Sequence, residues 1–249
     1  MIHCINKDGW ILSTQKNHES YVEEDKTFLK YSKEQGKEIW GKSLQNEKQF
    51  PITIREINQE ELSPVQLHAK GVKMWYVLEC KENAAIYFGC QYTIGKGDLK
   101  KRFKNNTLLD VLKKEEIEPG SVFQVEPGTM FAMQGVRILE ISENVGQSVL
   151  TMKDKMDKWV CLANVHPLDF DYGEEGSIVE DEKGQTVVLS VNPLFISFET
   201  QLKEGGFIQT DEDSFGFVYV LDNGKAYFLS ADGDKLSLEG KCTYLYVRM

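Results

Sequence analysis

Apolar residues alternate with polar ones through much of this chain, the period-two signature of half-buried strands. Pro51-Ile52-Thr53-Ile54-Arg55-Glu56-Ile57 is the clearest early case, and short strands are predicted at 9–15, 51–57 and 65–69. Lys73-Met74-Trp75-Tyr76-Val77-Leu78-Glu79-Cys80 is nearly continuous in apolar character and predicts a strand buried on both faces. Lys81-Glu82-Asn83 predicts a turn, with a strand returning at 84–89. Helical spacing occurs at 26–40 and at 97–116, the second split into two short helices by Asn105-Asn106. Strands follow at 122–125, 131–133 and 137–142, punctuated by Pro119-Gly120 and Pro127-Gly128. Such pairs suit tight turns because proline presets φ and glycine accepts positive φ. After a polar, acidic stretch at 153–185 the pattern is strands only: 186–191, 195–200, 206–210, 215–221, 225–230 and 242–247. Asp222-Asn223-Gly224 between two of these runs is a strong hairpin signal.

Many short strands with glycine turns predict a mainly β chain of two jelly-roll barrels. The expected division is 1–155, a first barrel carrying small helical insertions, and 156–249, a second and shorter barrel. The chain has 249 residues and a net charge of −10, which argues against nucleic acid or an anionic membrane surface as partner. No apolar run approaches a membrane span, and the N-terminus lacks the features of a signal peptide. Cys4, Cys80, Cys90, Cys161 and Cys242 are scattered without a C-x-x-C pair, which predicts buried thiols in a reducing cytoplasm. The oligomeric state is left open.

The candidate chemistry starts at Gln66 and His68. They stand two apart, so a strand places both on one face, where they could form half of a metal site. His3, His18 and His166 have no companions at ligand spacing and read as structural or exposed. Asp169-x-Asp171 with Glu174 and Glu175 lacks EF-hand spacing and reads as a solvated acidic loop.

Several segments taken together resemble the type I phosphomannose isomerases of the cupin superfamily. Phe50-Pro51-Ile52 is similar to that family's F-P-L-L, Val65-Gln66-Leu67-His68 to its Q-V-H, and Trp75 to Cys80 to its W-Y-I-I-x-C strand. Val122-Phe123-Gln124-Val125 with Gly128-Thr129 resembles F-x-V-P-x-G-T-x-H-A, and Leu139-Glu140-Ile141 with Asn144 resembles L-E-x-x-Q-N. Phe217 to Leu221 and Gly240 to Thr243 resemble the second barrel. The resemblance runs from about Gly9 to the end. It implies that the family's opening segment is missing and that the last barrel is shortened between Leu229 and Leu236.

The resemblance implies a double cupin and aldose–ketose isomerisation at zinc held by Gln, His, Glu and a second His. Gln66 and His68 match the first two, a remnant too small to hold the ion by itself. Lys73 stands at the Glu position and Phe131 at the second His, a family arginine falls near Leu150, a pocket lysine corresponds to Arg55, and Pro64 replaces a serine. The expected substrate pocket is therefore Gln66, His68, Lys73, Phe131 and Glu140, with Arg55 and Lys73 as the candidates for any catalytic role. No cofactor is expected unless Glu79, Glu126 or Glu140 rebuilds a zinc site; Phe131 and Met133 read as plain barrel core.

Three functional readings follow. The first is a mannose-6-phosphate-isomerase-like pseudoenzyme of carbohydrate metabolism that binds a small sugar or sugar phosphate. The second is an active isomerase with a rearranged site or with Lys73 as electrophile. The third is a structural or interaction module.

Overall fold

The computed structural model describes residues 1–146, 149–151 and 176–249. The chain is mainly β and divides into two units, one of Met1–Arg55 with Asp169–Met249, the other Glu56–Leu168. The boundary expected at 155–156 and the acidic loop at 169–175 lie outside the described residues. Met1–Arg55 was expected in the first barrel, and it groups instead with the C-terminal strands.

The pairing explains that grouping. Ile2–Cys4, which sequence reasoning missed, forms the edge of a seven-stranded sheet. It runs antiparallel to Lys225–Leu229 with Ile2 opposite Phe228. The order continues through Gly216–Val220, Cys242–Arg248, Ile196–Leu202 and Gly184–Val191 to Ile178–Glu180. The hairpin expected at Asp222-Asn223-Gly224 is present, with Val220 opposite Lys225 and Gly224 at φ 68°. Phe28, Trp40 and Phe50 pack with Phe215 and Phe228, with ring centroids 4.8 Å apart for Phe50 and Phe215. These aromatics form one buried cluster of this unit, beside a second one that includes Val218, Leu229 and Leu236.

The other unit is built on a long antiparallel ribbon. Lys73–Cys90 pairs with Met130–Glu143, from Phe131 opposite Phe88 to Ser142 opposite Lys73. The turn expected at 81–83 is absent, and the two strands expected on each side of the ribbon are one. Lys81, Glu82 and Asn83 are exposed within a continuous strand, so their polarity reflects solvent and not chain reversal. The register shifts beside them, at Gly135. Gly135 has φ 62°, and a Cβ there would lie 2.8 Å from Asn83 Oδ1. Leu112–Glu115 and Val122–Gln124 pair with the outer edge of Lys73–Cys90, and Gln66–His68 pairs with Met130–Glu143. Strand Ile52–Gln59 crosses the division between the units at Arg55 and Glu56.

The helices are shorter than predicted. Phe28–Gln35 is capped by the Thr27 side chain, which accepts from the Lys30 N–H, and two 3-10 turns complete the stretch to Leu44. Lys96–Asn105 ends at Asn106 in the left-handed conformation, as the Asn-Asn pair suggested. The second helix expected there is a 3-10 turn followed by Leu112–Glu115, because Leu112 takes a partner in Cys90 across the sheet edge. Among the described residues no helix is long and apolar enough to cross a membrane.

Cys4, Cys80 and Cys242 are free thiols, whereas Cys90 is disulfide-bonded, which corrects the expectation of free thiols throughout. Burial pushes the Cys4 thiol up to about 12 and raises Tyr244 and Tyr246 above the usual phenol range, because a low-dielectric surrounding disfavours the charged form. The unfolded chain therefore ionises these groups first. The stability they contribute is complete below the ordinary thiol value of 9.0 and is lost as pH rises from there towards 12. Urea melts at about pH 8 and about pH 10.5 are expected to show a lower midpoint at the higher pH.

Candidate functional site

Five of the expected site residues, Gln66, His68, Lys73, Phe131 and Glu140, fall on one face of the ribbon and the strand paired with it. Gln66 lies opposite Phe131 and Leu67 opposite Met130. Alternation sends Leu67 and Met130 into one apolar cluster with Val65, Leu99, Leu108 and Leu112. Phe131 enters the other, with Trp75, Phe88 and Phe123. Gln66 and His68 thus share the face of Phe131, while Glu140 sits opposite Trp75, two residues from Lys73 on the same face.

His68 is fully buried and held at both backbone atoms, its N–H donating to Thr129 O at 2.8 Å and its carbonyl accepting from Gly128 N–H at 2.6 Å. Its ring Nε2 lies 2.8 Å from Gly71 O. A carbonyl only accepts, so Nε2 carries the proton and the lone pair falls on Nδ1. Gly71 can present that carbonyl because it adopts φ 84°, where a Cβ would meet Val145 Cγ2 at 2.8 Å. Metal-ligating histidines use the same outer hydrogen bond, so His68 alone does not decide the chemistry of the site.

Positions 73 and 131 decide it. Lys73 Nζ lies 3.0 Å from Glu140 Oε2, with side chains 1% and 4% exposed. Trp75 Nε1–H donates to the same Oε2 at 2.8 Å. The Phe131 ring meets Trp75 edge-on at 4.8 Å between centroids. A zinc ion needs about four donors with at least one anion among them. Here the position that the resemblance assigns to a glutamate ligand holds an ammonium, the one that it assigns to a histidine holds a hydrocarbon ring, and Glu140 is already paired with a cation. The residues present do not fit zinc. Among the described residues no group of three or more His, Cys, Asp and Glu side chains gathers in a way that could hold a metal.

The other candidates are placed elsewhere. Glu79 pairs with Arg137 at 3.2 Å, and Glu126 is exposed at its turn. Arg55 belongs to the unit of Met1–Arg55, with its guanidinium 5.3 Å from the centre of the Trp10 ring. His18 stacks on the same ring at 4.2 Å, its proton affinity lowered by burial and then by the Arg55 charge. Leu150, where the resemblance places an arginine, is buried in the apolar cluster of Leu67. Met133 and Phe131 are core residues, as expected. Sequence reasoning missed Gly71 as the acceptor for His68 and Trp75 as the second donor to Glu140. It also read Asn106 only as a helix breaker, and it did not single out Ser63. The pairing of Lys73 with Glu140 crosses 67 residues and leaves no local signal.

No family model matches the chain. Among curated proteins it is 28% identical over 111 residues to GmuF of Bacillus subtilis, named a probable mannose-6-phosphate isomerase, a match covering 39% of this chain and 35% of that protein. It is 22% identical over 237 residues to YvyI of the same organism, covering 79% of this chain and 74% of that protein, which is named after the same activity. The crystal structure of the mannose 6-phosphate isomerase from Bacillus subtilis superimposes with a TM-score of 0.77 at 18% identity, covering 96% of this chain and 88% of that one. The chain resembles the mannose-6-phosphate isomerases and has their fold. The cupin-type architecture expected from the sequence is therefore present. The match to GmuF spans about a third of that protein's length.

Proposed function

We propose that this chain is a sugar-binding member of carbohydrate metabolism, built on the mannose-6-phosphate isomerase fold, that does not isomerise its ligand. The observation that carries the reading is the buried Lys73–Glu140 ion pair with the Trp75 indole on the same carboxylate oxygen. Isomerisation between aldose and ketose develops negative charge on an enediolate, which needs an electrophile positioned beside it. In the related fold a metal would supply that charge, and here the ammonium at the corresponding place is committed to Glu140. Phe131 fills the remaining space with a ring that cannot coordinate or exchange a proton. What stays is the half-buried Gln66, able to hydrogen-bond hydroxyl groups, backed by the buried His68.

The test is a coupled assay of purified, tag-free protein with mannose 6-phosphate, with and without added zinc, reading fructose 6-phosphate. The expected rate is that of buffer in both conditions. Sustained conversion that His68→Ala abolishes would overturn the reading.

A further inference from the structure

Gln66 also lines a cleft of about 680 Å3, within the size range of small-molecule sites. One wall is aliphatic, formed by Leu62, Pro64, Leu108 and Leu109, and the polar groups around it include Ser63, Gln66 and Asn106. Three features describe what this cleft would recognise. First, two of its polar side chains are uncommitted donors and acceptors. Among the described residues the carboxamides of Gln66 and Asn106 have no hydrogen-bond partner. Ser63 is 7% exposed, and its Oγ already accepts the Met133 N–H at 3.0 Å, which leaves its own proton to donate. Second, none of the described lining residues is charged. Third, helix Lys96–Asn105 ends at this cleft, since its cap Asn106 lines it, and the C-terminal end of a helix carries partial negative charge.

Amides that both donate and accept match vicinal hydroxyl groups, and an aliphatic wall matches the C–H face of a sugar ring. Among the described lining residues a phosphate dianion finds no lysine or arginine, and it meets the wrong end of a helix dipole. We propose that the cleft binds a neutral polyhydroxylated ligand, a free hexose or hexitol, in preference to its phosphate ester. This names the ligand class for the sugar-binding reading above and rests on it.

Two variants leave the backbone undisturbed. Asn106 has φ 56° and ψ 38°, which glycine accepts readily, so Asn106→Gly removes the carboxamide alone. Gln66→Leu keeps a side chain of similar size at a half-buried strand position. Saturation-transfer NMR titrations use D-mannose, D-fructose and D-mannitol as neutral probes and mannose 6-phosphate as the charged one. At least one neutral probe is expected to bind saturably in the millimolar range. Each variant is expected to weaken it about tenfold, and the phosphate ester is expected to bind at least tenfold more weakly than mannose. Saturable binding of none of the neutral probes, binding that both variants leave unchanged, or tighter binding of the ester would each overturn the inference. Tight binding of the ester without turnover would overturn it while leaving the non-isomerising function standing; turnover would overturn that function itself.

Discussion

Lys73→Met is expected to cost about 3–5 kcal/mol of folding stability, because it leaves the Glu140 carboxylate buried without its cation. The loss does not measure the worth of the ion pair. Taking both charges out of water is itself expensive, so the pair as a whole is close to break-even against neutral groups that pack as well. A second variant separates the two effects. In Lys73→Met combined with Glu140→Gln, the glutamine oxygen still accepts from the Trp75 indole and no buried charge remains. Urea denaturation is expected to show most of the lost stability restored in the double variant. Equal losses in the single and double variants would show that packing at Lys73, and not charge balance, holds this layer of the barrel.

Lys73→Glu combined with Phe131→His is expected to yield a protein carrying about one zinc per chain, where the parent is expected to carry none. Register and alternation put Gln66, His68 and the two replaced positions on a common face, so four donors including one carboxylate would converge there. Without metal the new carboxylate stands beside Glu140 and opens a space where Phe131 packed on Trp75, so the apo form is expected to be less stable than the parent. Free zinc at about a hundredfold over its dissociation constant is expected to return about 2.7 kcal/mol. Metal content by plasma mass spectrometry and the zinc dependence of the melting temperature read the two halves of this prediction. A folded double variant that takes up no zinc would mean that Gln66 and His68 are not aimed at a shared point.

Local pattern carried much of the fold. The Asp222-Asn223-Gly224 hairpin, the helix break at Asn106 and the positions of most C-terminal strands all follow from residues close in sequence. The errors came where polarity had two causes. Lys81-Glu82-Asn83 are polar because they face water in mid-strand, and a turn would show the same composition. Leu108 to Leu112 have helical spacing, yet pairing across the sheet edge claims Leu112 for a strand. Met1–Arg55 could not be assigned to its unit from pattern, because nothing in Ile2-His3-Cys4 names Lys225–Leu229 as its partner.

By itself the sequence determined the chemistry available at the site: an ammonium at position 73, a phenyl ring at 131 and two neutral ligands at 66 and 68. Side-chain identity is local, and no packing arrangement gives phenylalanine a lone pair. The tertiary structure alone decided what those groups do. It bound Lys73 to a carboxylate 67 residues away, turned the His68 proton towards Gly71, and brought Ser63 and Gln66 to the helix end at Asn106. Hydrogen bonds and ion pairs act over about 3 Å, and only the folded chain brings residues so distant in sequence within that reach.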